Sequence, residues 1–212
     1  LFYLYLNLNY NMKKILIINA SQAFEHSNGE LNNLITRWDH AHFTPENGFE
    51  LQTTIINQGY EEELEVQKFL WADVIVYHFP IWWMYVPHYL KTYLDKVLTA
   101  GHGKLYRNDG RKAENPAINY GTGGLLSGKK YFVTTTWNAP DTAFTLTNEF
   151  FEERSVDDGV LFPFHKMNKF MALKALPSFH FHDVAKNIDQ EKLESFKTNY
   201  LNHLQQLMPA HL

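Results

Sequence analysis

Three short runs constrain this chain more than any other feature: KILIINA at residues 14–20, DVIVYHF at 73–79 and KYFVTTT at 130–136. Each is continuously apolar or β-branched rather than alternating. A strand with one wet face alternates, whereas a strand covered on both faces does not, so these runs belong inside a parallel sheet with helices on either side. Residues 49–56 (FELQTTII) read as a further strand and 160–164 as a fifth. Helical patterns lie between them. They cover residues 29–38, residues 61–71 with acids crowding the first turn, and HYLKTYLDKVL after Pro87, where Leu90, Tyr93, Leu94 and Val97 share a face. Residues 189–207 close the chain as an amphipathic helix. Alternating strands and helices predict an α/β, doubly wound, five-stranded parallel sheet of order 2-1-3-4-5 with helices on both faces.

Residues 12–212 read as one domain. The segment 1–11, LFYLYLNLNYN, precedes Met12-Lys13-Lys14 and is read as an upstream artefact, with an edge strand or dimer arm as the alternative. The absence of cysteine excludes disulfides, thiolate metal sites and a thiol nucleophile. A net charge of -4 without a basic stripe argues against nucleic acid as a partner. No apolar run approaches the roughly 20 residues of a membrane span. Residues 99–128 are too long and glycine-rich for an ordinary connection, and read as a functional excursion.

Ligands of such sheets sit outside the carboxyl ends of the strands, so the loops after residues 20, 79 and 136 carry the chemistry. The first, SQAFEHSNGELN, sets Ser21, His26, Ser27 and Asn28 before a helix whose N-terminus suits a phosphate, with Gly29 allowing close approach. Simple helix capping is the competing reading. The second, FPIWWMYVP, holds Trp82, Trp83 and Tyr85 between Pro80 and Pro87, as a wall for a planar ring or as a subunit interface. The third, TTTWNAP, brings Trp137, Asn138 and Ala139 alongside, or plugs a turn. Tyr120, in YGTGG, could stack or donate. His165 could neutralise an oxyanionic substrate. His180 and His182 share a strand face as a metal pair does, but no third ligand is near in sequence, so no metal is expected and both read as solvent-facing or core-edge.

With ILIINA, HSNGELN, FLWADVIVYHFPIWWMYVP, GHGKLY, YGTGGLLSGKKY, TTWNAP and LFPFHK together, the chain resembles the flavodoxin-like NAD(P)H:quinone oxidoreductases over residues 12–184. It is most similar to their bacterial modulator of drug activity B branch. The resemblance implies FAD rather than FMN, NADPH as hydride donor, a quinone or similar small aromatic acceptor, and a cytoplasmic homodimer with its sites at the subunit interface. It further implies that His26, Ser27, Asn28, Gly29, Glu30, Leu31, Asn32, Asn33 and Leu34 hold the diphosphate and adenosine. Pro80, Ile81, Trp82, Trp83, Tyr120, Thr136, Trp137, Asn138 and Ala139 would then hold the isoalloxazine. Tyr120 and His165 are the catalytic candidates. Ile81 departs from the small residue expected before the tryptophan pair, and residues 36–48 are shorter and richer in histidine than expected. The implied reaction is ping-pong, two-electron hydride transfer from NADPH through the flavin to a quinone. An azo- or nitroreductase on the same site and a non-enzymatic FMN electron carrier are the alternatives.

Overall fold

The computed structural model describes residues 12–24, 28–185 and 188–209. The segment 1–11 and two expected ligand residues, His26 and Ser27, lie outside them. Strands β1 (Lys13–Asn19), β2 (Phe49–Ile55), β3 (Val74–Pro80) and β4 (Lys130–Thr136) pair in parallel in the order β2-β1-β3-β4. The fifth position is filled by two short strands, β5 (Lys174–Ala175) and β6 (Phe179–Phe181), both parallel to β4. The 2-1-3-4-5 order holds.

The location of the fifth strand differs from the sequence expectation. Val160 to Phe164 is not a strand: its second half opens helix α5 (Phe162–Phe170), with Pro163 in the first turn. A proline lacks the N–H that a ladder needs but fits the first turn of a helix. The remaining helices are α1 (Glu30–His42), α2 (Glu62–Trp71), α3 (His88–Ala100), α4 (Thr142–Thr145) and α6 (Gln190–Leu207). Asp189 caps α6 by accepting the Lys192 amide at 2.8 Å.

Period two explains the continuous runs. Ile15 and Ile17 of β1 join one core with Ile35 and Trp38 of α1 and Tyr200 and Leu204 of α6. Leu16 and Ile18 join the other, with Val66 and Phe69 of α2, Leu90 and Val97 of α3 and Phe164 of α5. All seven residues of β3 are buried. Each such apolar side chain contributes about 1.5–3 kcal/mol on burial, and both faces must be covered to gain it.

Polar ties cross the α1/α6 side. His78 of β3 lies with Nε2 2.5 Å from Asp39 Oδ2 and Nδ1 2.5 Å from Thr134 Oγ1, and the Tyr200 hydroxyl donates to Asp39 Oδ1 at 2.6 Å. All four residues are fully buried. Helices α1 and α6 are thereby pinned to the middle of the sheet.

The excursion from α3 to β4 starts and ends at the amino edge of the sheet. Tyr106 bridges Gly124, and the Leu126 amide donates to the Met171 carbonyl at 3.0 Å. A Cβ on Gly124 would stand 2.3 Å from the Met171 carbonyl carbon, so glycine there lets the excursion pack against the end of α5.

Candidate flavin site

The carboxyl ends of β1, β3 and β4 carry the three loops, and polar side chains lock them together. The Asn19 amide donates to Asn33 Oδ1 and Thr36 Oγ1, both at 3.0 Å, and Ser21 Oγ donates to Asn33 Oδ1 at 2.6 Å. Asn32 Nδ2 donates to Thr136 Oγ1 at 3.1 Å, joining the first turn of α1 to the end of β4. Tyr89, at the start of α3, donates to the Ala20 carbonyl. These ties hold the start of α1 against the strand ends.

The N-terminus of α1 lies at these strand ends, and a helix N-terminus is a place that can accept an anion. Gly29 occupies the cap position at φ +70° and, as glycine, brings no capping side chain of its own to the first turn. Behind it, Asn32 is 3% exposed, and its Oδ1 has no hydrogen-bond partner among the described residues. Turning the amide over lets Oδ1 accept from the Thr136 hydroxyl and gives the unpartnered place to Nδ2. Either way one buried polar group is without a partner among the described residues, and an orphaned group of this kind costs about 1–3 kcal/mol when left unmet. Asn28 and Glu30 are exposed in the same turn, whereas Leu31 and Leu34 pack against the core beneath α1.

The second loop presents flat surface. Pro80, buried, ends β3 opposite Thr136, and the Ile81 amide donates to the Thr136 carbonyl at 3.0 Å. Trp82 stacks on Phe24 of the first loop, with ring centroids 4.5 Å apart and planes 28° apart. Trp82 and Tyr85 exchange both backbone hydrogen bonds, at 3.0 and 3.1 Å, closing a two-residue turn in which Trp83 and Met84 have φ of +47° and +60°. Two non-glycine residues in the left-handed region make a strained turn, the kind of strain that gathers at ligand sites. It leaves Trp83 92% exposed.

In the third loop Trp137 turns inward. It is 3% exposed, donates from Nε1 to Thr135 Oγ1 at 2.6 Å, and packs edge-on against Phe144 and Phe151 and flat against His182. Its side chain plugs the turn. Asn138 is exposed and Ala139 half-buried. Their amides carry no hydrogen bond among the described residues, which leaves two backbone donors at the end of β4. A planar ligand with an anionic tail fits this donor set: flat rings on one side, amides at an edge, and a helix N-terminus with a buried amide at the far end.

Tyr120 and His165 are not brought to these loops within the chain. Tyr120, 72% exposed, leans on Phe170 at the far end of α5, with the Arg111 guanidinium 5.7 Å from its ring. His165 lies between Tyr131 and Asp157. His180 and His182 face Asp157 at 3.6 Å and Asp141 at 3.8 Å. Among the described residues no group of three His, Asp or Glu side chains is arranged to hold a metal. Burial first, then the neighbouring His180, pulls the His182 imidazole down from its ordinary value. Phe24, the Asn19–Ser21–Asn33 lattice and the left-handed Trp83–Met84 turn were not anticipated from sequence. Trp83-Met84 contains no glycine, and the asparagine contacts run between separate elements.

The sheet order and ligand-ready strand ends define a flavodoxin-like protein, and the flavodoxin-like fold family matches residues 13–204: the chain belongs to that family. The NADPH:quinone oxidoreductase MdaB of Haemophilus influenzae is 44% identical over 194 residues, covering 91% of this chain and 98% of that protein. Among solved structures, a Klebsiella pneumoniae protein assigned as a quinone reductase superposes with a TM-score of 0.74 at 20% identity, over 94% of this chain and 86% of its own. General stress protein 14 of Treponema denticola, solved with FMN, superposes at 0.64 with 25% identity, over 92% and 99%. No described helix is long and apolar enough to cross a membrane.

Proposed function

We propose that the chain is an FAD-dependent NAD(P)H:quinone oxidoreductase in which residues 12–212 act as one flavin-binding unit. One observation carries the reading: the stacked Phe24–Trp82 pair, the Asn138–Ala139 amides and the α1 N-terminus meet at the same strand ends, in a chain 44% identical to a quinone oxidoreductase. The flavin supplies two-electron hydride chemistry when bound.

The chain's residues hold and orient. The first turn of α1, with Asn32 behind it, neutralises the diphosphate. The stacked Trp82–Phe24 pair offers the ring system a flat wall, and Thr136 fixes the Ile81 backbone beside it. The amides of Asn138 and Ala139 point donors at its polar edge, where negative charge grows on reduction. NADPH and quinone use the same open face in turn. Tyr120 lies at the opposite end of its own sheet, so its role at a flavin is filled from a second copy, in a cytoplasmic homodimer whose sites lie at the interface. FAD over FMN and NADPH over NADH follow the family resemblance.

The test is NADPH oxidation by the flavin-loaded protein with menadione, varying both substrates. Parallel double-reciprocal lines are expected. Intersecting lines sink the shared-site mechanism, and no quinone-dependent oxidation sinks the activity and favours an FMN carrier. An azo dye run beside menadione ranks the acceptors.

A further inference from the structure

A second cleft lies at the outer edge of the sheet, where the fifth strand is split. Its volume is about 660 Å³, and its lining includes Tyr131, Asp157, His165, Lys166, Lys169 and Lys174. No residue of the three flavin loops lines it. Small-molecule sites have volumes of about 300–1,000 Å³, with an apolar surface and a few convergent polar groups. Here Phe162, Leu173 and Ala175 supply the apolar part.

The charges are arranged for an anion. Among the described residues Lys166, Lys169 and Lys174 form no ion pair, and Lys166 lies 4.8 Å from the Phe162 ring centroid. The two acids in the lining are engaged elsewhere. Asp158 accepts from Ser155 Oγ at 2.9 Å. Asp157 accepts from His165 Nε2 at 2.9 Å and Ser178 Oγ at 2.8 Å, with His180 Nε2 at 3.6 Å. Burial pushes the Asp157 carboxyl up, but these histidine and serine contacts outweigh it and hold it well below the usual carboxylate range.

A proton relay forms the wall. The Tyr131 hydroxyl lies 2.6 Å from His165 Nδ1, and Nε2 of the same ring meets Asp157. With His165 neutral, Nε2–H donates to Asp157 and Nδ1 accepts the tyrosine proton. With His165 protonated, Nδ1–H donates to the tyrosine oxygen, and the tyrosine O–H is released to donate to something else. Tyr131, 2% exposed, forms part of the cleft wall. His165 meets Tyr131 of β4 and Asp157 of the preceding loop, and Lys166 and Lys169 of α5 line the cleft beside it. Lys174 of β5 lines the same cleft, and His180 of β6 acts through Asp157.

We propose that this cleft is a second ligand site, outside the three strand-end loops of its own chain, for a flat organic carboxylate. Its carboxylate would meet Tyr131 and the lysines, and its ring would lie on Phe162 and Leu173.

The probe is 1-naphthoate, with 1-naphthalenemethanol as its neutral isostere, titrated into the full flavin-loaded chain. Calorimetry is read beside the histidine ring signals in NMR. The expected result is naphthoate binding, about tenfold weaker for the alcohol and for the exposed-site double variant K166A/K169A, as suits loss of charge-assisted contacts. The Tyr131→Phe variant keeps the ring and is expected to bind naphthoate about tenfold more weakly, through loss of one hydrogen bond to the carboxylate. Equal binding of acid and alcohol overturns the proposal, as does wild-type affinity in K166A/K169A or naphthoate displacement of flavin without movement of the His165 signals.

Discussion

The Trp83–Met84 turn offers a sharp test of where this fold stores strain. Both residues sit in the left-handed region, at φ +47° and +60°. That conformation disfavours a non-glycine residue by about 1–2 kcal/mol, so the pair stores about 2–4 kcal/mol. The double variant W83N/M84G gives the turn the residues it favours. Glycine returns about 0.5–1 kcal/mol through the unfolded chain, leaving a net gain of about 1–3 kcal/mol. Trp83 is 92% exposed, so its removal sacrifices little burial. In a chain of this size each kcal/mol raises Tm by about 2–4 °C, giving a rise of about 2–12 °C. The assay is thermal unfolding of the flavin-free protein followed by circular dichroism, with quinone-dependent NADPH oxidation measured beside it. The expected outcome is a more stable and less active protein, the usual exchange at a strained site. An unchanged or lower Tm refutes the strain reasoning. Higher Tm with full activity shows the strain to be unrelated to function.

Other perturbations reach other parts of the account. His78→Leu leaves the buried Asp39 carboxylate with Tyr200 alone and is expected to destabilise by about 3–5 kcal/mol, read from the urea midpoint. Tyr200→Phe removes one hydrogen bond to the same carboxylate and should destabilise by about 1–3 kcal/mol. The Asp157 carboxyl is held low in the folded state, so its contribution to stability is present above the unfolded value near 3.8 and lost as pH falls through the folded one. Asp157→Asn should therefore flatten the acid limb of the stability–pH curve, and an unchanged limb counts against the His165 and Ser178 contacts. Trp82→Ala should weaken flavin affinity about tenfold, measured by fluorescence titration, since one aromatic stack contributes about 0.5–1.5 kcal/mol beyond its buried area.

The central strands were legible because burial on both faces writes itself into β1, β3 and β4 as unbroken apolar runs. The edge strand was not. VLFPF has strand-like composition, but Pro163 belongs to a helical first turn, and the true edge is split into β5 and β6, too short to show a period. The strand-end loops were recognisable from their glycine and aromatic content, yet the direction of a side chain was not. Trp137 turns into the core because Phe144, Phe151 and His182 lie there to receive it. Contacts between distant residues left no local trace at all: His78 with Asp39, 39 residues apart, and Tyr200 with Asp39, 161 apart. The same holds for Tyr120, whose neighbour Phe170 sits at the opposite end of the sheet from the loops it was grouped with.

The most direct measurement is to purify the protein, release any bound ligand by denaturation and identify it, then titrate the stripped chain with FAD and with FMN. The account predicts a yellow protein that releases FAD at one per chain and rebinds FAD more tightly than FMN. A colourless protein that takes up neither flavin would contradict it.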